Sequence, residues 1–343
     1  MKYTQGYLKG LEARVEANGL SSLGGATVLI TGASGLIGSA LADVLLCANH
    51  MLDLNLRLVF AGRNHKALNE RFAFWDNSTW DYARFNNRDS VDFDFKADYI
   101  VHCAGIAHPA AYNVHPAEVI TGNIIGTAGI LDYARSCGVK RVLYLSSSEV
   151  YGSRDGMEPY KETDQYPVPP LSPRSCYPSS KRTCETLCVS YLSEYSVDSV
   201  IVRPGHVWGP MATMTDSRAH AQFARNAAAG CNIIMKSPGS QLRSYIYGID
   251  CAGALLAVLQ NGKAGEAYNV GVPGFACTIR QLADALADAG GVHVIHDYPT
   301  AEEAAGYNPM TCSALDCSKL AELNFKALFS LEDAAYQTID CLR

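Results

Sequence analysis

The chain has no basic block. Its 28 Lys and Arg are outnumbered by 34 Asp and Glu, giving a formal net charge of −6 over 343 residues, and the cations are scattered. Nucleic acid, which demands Lys and Arg concentrated against phosphates, is therefore excluded as an expected partner. No apolar run approaches the roughly 18 residues that cross a bilayer, so no membrane partner is expected. Residues 1–25 lack the apolar core of a signal peptide; Tyr7, Leu8, Leu11 and Val15 recur there at helical spacing between charges, which predicts a helical extension ahead of the first strand. A cytoplasmic location is the default expectation. Zinc-type spacing is lacking too. Of the twelve cysteines, Cys184/Cys188 and Cys312/Cys317 come closest to pairs, but neither has the second Cys or His pair a structural zinc site needs. The expectation is free thiols and no metal, with Cys103 and Cys176 lying near the candidate site described next.

What is present is a strand, a tight glycine turn and a helix. Ala26-Thr27-Val28-Leu29-Ile30 is apolar and β-branched, Gly32-Ala33-Ser34-Gly35-Leu36-Ile37-Gly38 follows, and Leu36 to Leu46 has helical apolar spacing. Gly32 permits a sharp turn, Gly35 lets backbone amides approach a pyrophosphate, and Gly38 lets the helix pack on its strand. The helix N-terminus then favours an anion. A second strand over Leu56 to Ala61 runs into Gly62-Arg63-Asn64 with no acid at its end. An acid there would bind the adenosine ribose and favour NAD, whereas Arg63 is open to three roles: clamping a 2′-phosphate, stacking on adenine, or standing as a solvated loop charge. NAD is the expected cofactor, with NADP left open. Tyr99 to Cys103 is the next strand, closed by the small residues Ala104 and Gly105. Val119 to Cys137, carrying Asn123 and Gly126-Thr127, reads as a helix and Arg141 to Leu145 as a strand. This alternation predicts an α/β fold: a doubly wound Rossmann-type parallel sheet with a smaller C-terminal α/β substrate lobe. The expected divisions are residues 1–25, a dinucleotide-binding domain over 26–210 to which later segments return, and a lobe over 211–343. Within that lobe, Asn232 to Met235, Gln241 to Tyr247 and Ala267 to Val270 read as strands, and Cys251 to Leu259 and Ile279 to Ala289 as helices.

Ligands of such sheets sit at the carboxyl ends of the strands, which makes the polar run Ser146-Ser147-Ser148-Glu149 after Leu145 informative. Tyr177 and Lys181 stand four residues apart on a predicted helix, on one side of it. An ammonium there would lower the tyrosine pKa from about 10 and prepare a base for an alcohol proton.

With Asn123, Gly126-Thr127, Val150-Tyr151-Gly152, Arg203-Pro204 and Gly209-Pro210, these motifs resemble the extended short-chain dehydrogenase/reductase, or NAD-dependent epimerase/dehydratase, family from about Thr27 onward. The resemblance implies remodelling of a nucleotide-sugar through oxidation at its C4. It gives Ser147 the role of hydrogen-bonding the reacting hydroxyl, Tyr177 that of base, and Lys181 that of lowering the tyrosine pKa and holding the nicotinamide ribose. Cofactor contacts fall on Gly32, Ser34, Gly35, Leu36, Ile37, Gly38, Arg63, Ala104, Gly105, Asn123, Tyr177 and Lys181. The stretches Pro173 to Glu185, Gly209 to Arg218 and Ser240 to Arg243 are similar to the UDP-glucuronate decarboxylases of the family. Those enzymes keep a Ser-Glu pair, matched by Ser148 and Glu149, with Glu149 as acid/base near C5, where sugar dehydratases keep Asp-Glu. Arg218 and Arg243 are implied substrate contacts. His206 stands where the family has asparagine near the substrate phosphates, and Trp208 replaces Tyr or Phe. The arginine expected before Asp316-Cys317-Ser318-Lys319 is missing from Tyr307-Asn308-Pro309-Met310. His220 and Gln222 read as surface or packing residues. A homodimer through Val119–Cys137 and Ser179–Tyr195 is implied. A nucleotide-sugar epimerase or 4,6-dehydratase-like enzyme, an NADPH-dependent ketone reductase and a non-catalytic dinucleotide sensor are the alternative readings.

Overall fold

The computed structural model describes residues 1–107, 109–298 and 311–343; the Tyr307–Met310 departure lies outside them. Six strands follow one another as β1 (Thr27–Thr31), β2 (Arg57–Gly62), β3 (Asp81–Arg84), β4 (Tyr99–His102), β5 (Arg141–Leu145) and β6 (Ser199–Pro204). The short strands β7 (His206–Trp208), β8 (Ile233–Met235), β9 (Leu242–Arg243) and β10 (Tyr245–Tyr247) come next, before β11 (Ala267–Val270). The main sheet has the order β11-β6-β5-β4-β1-β2-β3 and every neighbouring pair is parallel. Growth of the sheet reverses between β1 and β4, which opens the crevice where ligands of doubly wound sheets bind.

Successive strand residues enter opposite cores, which is why these segments read as unbroken apolar runs. Val28, Ile30, Leu58, Phe60, Leu143, Val200 and Val202 face one core, while Leu29, Val59, Ala61, Val142, Tyr144 and Ile201 face the other. Helices α1 (Gln5–Asn18), α2 (Leu36–Leu52), α3 (His65–Arg71), α4 (Pro109–Val114), α5 (Pro116–Cys137), α6 (Cys176–Tyr195), α7 (Ala219–Ala228), α8 (Gly248–Asn261) and α9 (Ile279–Gly290) complete the main layers. Within them α2 packs on α8, and α5 on α6. The segment between Arg63 and Asp98, for which the sequence offered no elements, holds α3 and β3.

Two lobe assignments are corrected. Ala267–Val270 pairs in parallel with β6 at the edge of the main sheet, and the helix expected over Cys251 to Leu259 lies within α8, packed against α2, β5 and β6. Both are buried apolar segments whose periodicity cannot say which core receives them. The single strand expected over Gln241 to Tyr247 breaks at buried Ser244: β9 pairs with Cys277–Thr278 and Cys312–Ser313, and β10 with β7. Ser244 Oγ accepts the Leu315 N–H at 2.9 Å, and a Cβ on Gly205 would fall 2.4 Å from the Ser244 carbonyl, so the chain turns there to admit both neighbours.

In α1, Tyr7, Leu11 and Val15 are buried. Fully buried Asp43 on α2 receives the hydroxyls of Tyr3 (2.6 Å) and Tyr7 (2.7 Å), Arg71 Nη2 (2.6 Å) and Trp75 Nε1 (3.0 Å). Arg14 on α1 pairs with Asp250 on α8, both buried. Among the described residues no helix is long and apolar enough to cross a membrane.

Candidate active site

The glycine turn after β1 is built by close approach. Gly32 has φ +69°, and a Cβ on it would stand 2.8 Å from the Ala104 amide nitrogen; a Cβ on Gly38 would stand 2.4 Å from the Gly32 carbonyl oxygen. Only glycine fits either place. Gly35 caps α2 with extended backbone, Leu36 begins the helix, Ser34 is exposed and Ile37 half-buried. The turn therefore offers backbone amides at a helix N-terminus, and the residues present fit a dinucleotide's pyrophosphate. Across the crevice, a Cβ on Gly105 would meet Asn123 Oδ1 at 3.2 Å and Lys181 Nζ at 3.5 Å. Asn123 Oδ1 accepts the Ile106 N–H (3.0 Å) and its Nδ2 donates to Ser180 Oγ (3.0 Å), which ties the loop after β4 to α5 and α6.

β5 ends at Leu145, and buried Ser146 donates to Glu185 Oε1 (2.6 Å), a carboxylate held by Arg203 at 2.7 Å. Ser147 Oγ accepts the Glu149 N–H at 3.2 Å and lies close enough to the Tyr177 hydroxyl to hold its pKa down. Because α6 begins at Cys176, Tyr177 falls in its first turn and Lys181 one turn on, both buried. Lys181 Nζ donates to the Leu145 carbonyl (2.6 Å) and lies 4.9 Å over the Tyr144 ring and 5.8 Å over that of Tyr177.

The tyrosine's electrostatics reverse the sequence expectation. Burial pushes the Tyr177 hydroxyl up to about 12, with Glu149 adding to the rise and Ser147, Arg218 and Tyr112 opposing it. Lys181 is spent on the Leu145 carbonyl, and burial lowers its own pKa. Desolvation outweighs charge in this arrangement.

Three further residues complete the site, and sequence reasoning gave none of them a role. Arg174 grips Glu149 with two contacts, Nη1–Oε2 at 2.9 Å and Nη2–Oε1 at 3.0 Å. Its guanidinium lies 4.7 Å over the Tyr112 ring, which stacks on Tyr177 with centroids 4.8 Å apart and 17° between planes. Asp216 holds Arg218 through Nη2–Oδ2 at 2.5 Å and Nε–Oδ1 at 3.0 Å. Arg174 precedes Tyr177 by three residues and so shares its side of the chain, a usable signal. Tyr112 and Asp216 carry none.

Toward the lobe, His206 Nε2 lies 3.2 Å from Ser313 Oγ. Burial, then Arg243 and Arg218, push the His206 pKa to about 3. Arg243 is itself buried. His220, expected as surface or packing, is buried beside the same charges: desolvation and then Arg218 bring it to about 3, and no described residue hydrogen-bonds its Nε2. Ser147, Glu149, Tyr177 and Lys181 thus cluster, with Arg218 in electrostatic reach of Tyr177 and His206 of Arg243. Ser148 is half-buried in the turn holding Glu149. Arg63 stands at the exposed end of β2, three strands from β5.

A family model described as NAD dependent epimerase/dehydratase family matches residues 28–271. UDP-glucuronic acid decarboxylase 1 of Xenopus tropicalis is 32% identical over 74% of this chain, an alignment that spans 60% of that protein's length. Among solved structures, a dTDP-glucose 4,6-dehydratase from Streptomyces venezuelae with NAD bound is 26% identical, with a TM-score of 0.75 over 92% of this chain and 96% of its own. A UDP-glucuronic acid 4-epimerase from Bacillus cereus, in complex with UDP-glucuronic acid and NAD, gives a TM-score of 0.73 at 23% identity, covering 92% and 98%.

Proposed function

Because the chain belongs to the NAD dependent epimerase/dehydratase family, we propose that it remodels a nucleotide-diphosphate sugar through transient oxidation at C4, in the manner of a UDP-glucuronate decarboxylase. The observation that carries this reading is the clustering of Ser147, Glu149, Tyr177 and Lys181 at the carboxyl end of β5, with Ser147 and Glu149 acting on the Tyr177 hydroxyl and Lys181 Nζ 5.8 Å over its ring. Tyr177 Oη takes the C4 hydroxyl proton and later returns it, while Ser147 Oγ donates to the same oxygen. Gly32 to Gly38 hold the pyrophosphate of the cofactor, with Ala104, Gly105, Asn123 and Lys181 at its nicotinamide end. When bound, the cofactor supplies a reversible hydride acceptor, so that C4 can pass through a ketone. A C5 carboxylate is β to that ketone and leaves as carbon dioxide, its bonding electrons becoming an enolate. Glu149 serves the proton chemistry at C5. Arg218, Arg243 and His206 receive the anionic part of the substrate, a task suited to guanidinium forks.

Ser148 beside Glu149, in place of an aspartic acid, leaves a dehydratase without the acid that protonates a departing hydroxyl. The outer faces of α5 and α6, where Ile125, Val189 and Tyr195 are exposed, suit a two-fold dimer. Twelve unpaired cysteines suit a reducing compartment such as the cytoplasm. Incubation with UDP-glucuronate, UDP-glucose and their dTDP counterparts, followed by carbon dioxide trapping and product mass, tests the reading. Carbon dioxide from a uronate supports decarboxylation, an isobaric product turns the assignment to epimerisation, and no turnover of any nucleotide-sugar overturns it.

A further inference from the structure

Arg174 stands beside the catalytic tyrosine with part of its hydrogen-bonding capacity unused. It gives Glu149 one N–H from each Nη, at 2.9 and 3.0 Å, whereas a guanidinium carries five. Its Nε–H and the second hydrogen of each Nη meet no acceptor among the described residues. The pair is also open to solutes: the Arg174 side chain is 45% exposed and that of Glu149 37%. Two neighbouring cations are already committed. Buried Lys181 donates to the Leu145 carbonyl at 2.6 Å, and Asp216 holds Arg218 at 2.5 Å.

The fork is held from below. Arg174 lies in the short turn Pro173–Ser175 that runs into α6, and Ser175 Oγ ties that turn to the Pro169 carbonyl at 2.6 Å. Its guanidinium lies 4.7 Å over the ring of buried Tyr112, which stacks on Tyr177 at 4.8 Å. One stack thus carries the fork at one end and the Tyr177 phenol at the other. With the C4 hydroxyl at that phenol, a uronate brings its carboxylate on the adjacent C5, the carbon assigned to Glu149. Two carboxylates then share one corner of the crevice. They repel each other unless a cation serves both, and Arg174 already touches one of them with donors left for a second.

From this geometry we infer that Arg174 is the residue that reads the sugar's carboxylate: it bridges Glu149 and the C5 carboxylate, and so selects a nucleotide-uronate over the matching neutral hexose. The inference deepens the function proposed above and rests on it, leaving the diphosphate to Arg218, Arg243 and His206. A guanidinium bound to carboxylate oxygens makes charge-assisted hydrogen bonds, whereas the hydroxymethyl group of a hexose offers it only one neutral acceptor.

Calorimetric titration of the full chain in the presence of NADH, which cannot accept a hydride, measures binding without turnover. UDP-glucuronate binds the wild type roughly tenfold or more tightly than UDP-glucose. Arg174→Gln removes that difference by weakening UDP-glucuronate and leaves UDP-glucose and UDP within roughly threefold, while Arg174→Lys, which keeps the charge without the fork, restores only part of it. An unpaired Glu149 would repel a uronate by itself, so the deciding variant is Glu149→Gln/Arg174→Gln. Uronate binding stays weak there, because the fork itself is the receptor. Equal affinity of the wild type for the two sugars, equal losses for both sugars in Arg174→Gln and Arg174→Lys, or recovery of uronate binding in the double variant overturns the inference, and the C4 chemistry then stands or falls on the carbon dioxide and product-mass assay. Failure of the wild-type chain to bind UDP-glucuronate, UDP-glucose and UDP alike overturns both.

Discussion

His102, the last residue of β4, makes acid stability a quantitative test of the sheet's carboxyl end. It is 1% exposed, and burial, reinforced by the Lys181 ammonium, brings its pKa from 6.5 to about 3. The hydrogen bonds explain why a second proton is unwelcome. Thr31 Oγ1, which accepts the Ala104 N–H (3.1 Å), lies 2.7 Å from Nδ1 and is left to donate to it; Thr127 Oγ1 donates to the Asn123 carbonyl (2.8 Å) and is left to accept from Nε2 at 3.3 Å. This assigns the neutral Nε2–H tautomer. A histidine whose folded pKa lies below its unfolded value contributes stability that is complete above pH 6.5 and is lost as pH falls toward 3. At pH 5 the unfolded residue is nearly all protonated and the folded one is not, which costs about 2 kcal/mol relative to pH 7.5. Denaturant titration at both pH values, on the wild type and on His102→Gln, isolates this contribution because the remaining groups titrate alike. The wild type should lose about 2 kcal/mol more than the variant between the two pH values. Equal losses would refute both the neutral assignment and the network that enforces it.

Tyr177→Phe should lower turnover by roughly 10²- to 10⁴-fold while dinucleotide still binds; near-wild-type turnover in a substrate assay would remove Tyr177 from the chemistry. Arg174→Met should raise the Tyr177 pKa by leaving the Glu149 charge unpaired and move the acid limb of the kcat/KM profile up by roughly half a pH unit, modest because the ion pair is partly solvated; an unmoved or lowered limb would contradict the electrostatic reading. Arg14→Met strands the buried Asp250 carboxylate with only the Leu328 (2.9 Å) and Phe329 (3.2 Å) N–H groups as partners. The cost should be about 3–5 kcal/mol in denaturant titration, much of it regained in Arg14→Met/Asp250→Leu.

Much of this architecture is written in local chemistry. Runs such as Val28-Leu29-Ile30 and Val142-Leu143-Tyr144-Leu145 declare doubly buried strands, and the glycines at 32, 35 and 38 declare the turn, where positions 32 and 38 leave no room for a side chain. Where recognition depends on contacts distant in sequence, the signal disappears. Ala267–Val270 reads as a strand, but nothing in it says that β6 is its partner. Tyr112 lies 65 positions before Tyr177 and joins the site only because α4 folds over the start of α6. His220 resembles any polar residue on an amphipathic helix until its neighbours Arg218 and Asp216 are in place.

The sign of the Tyr177 shift is the same lesson in electrostatic form. Four-residue spacing brings an ammonium near a phenol, but spacing is silent about what else the ammonium meets. Lys181 reaches the Leu145 carbonyl at 2.6 Å, while Tyr177 is enclosed by Tyr112 and α6. Burial therefore acts on the tyrosine with little compensation, and the nearby Glu149 adds to it. Arg174 limits that second contribution by pairing with the carboxylate before its field reaches the phenol. The free site keeps its proton on Tyr177. If Tyr177 is the base proposed above, positive charge entering the crevice or negative charge withdrawn at Glu149 would lower its pKa, so what binds beside the tyrosine would arm it more than its own helix does.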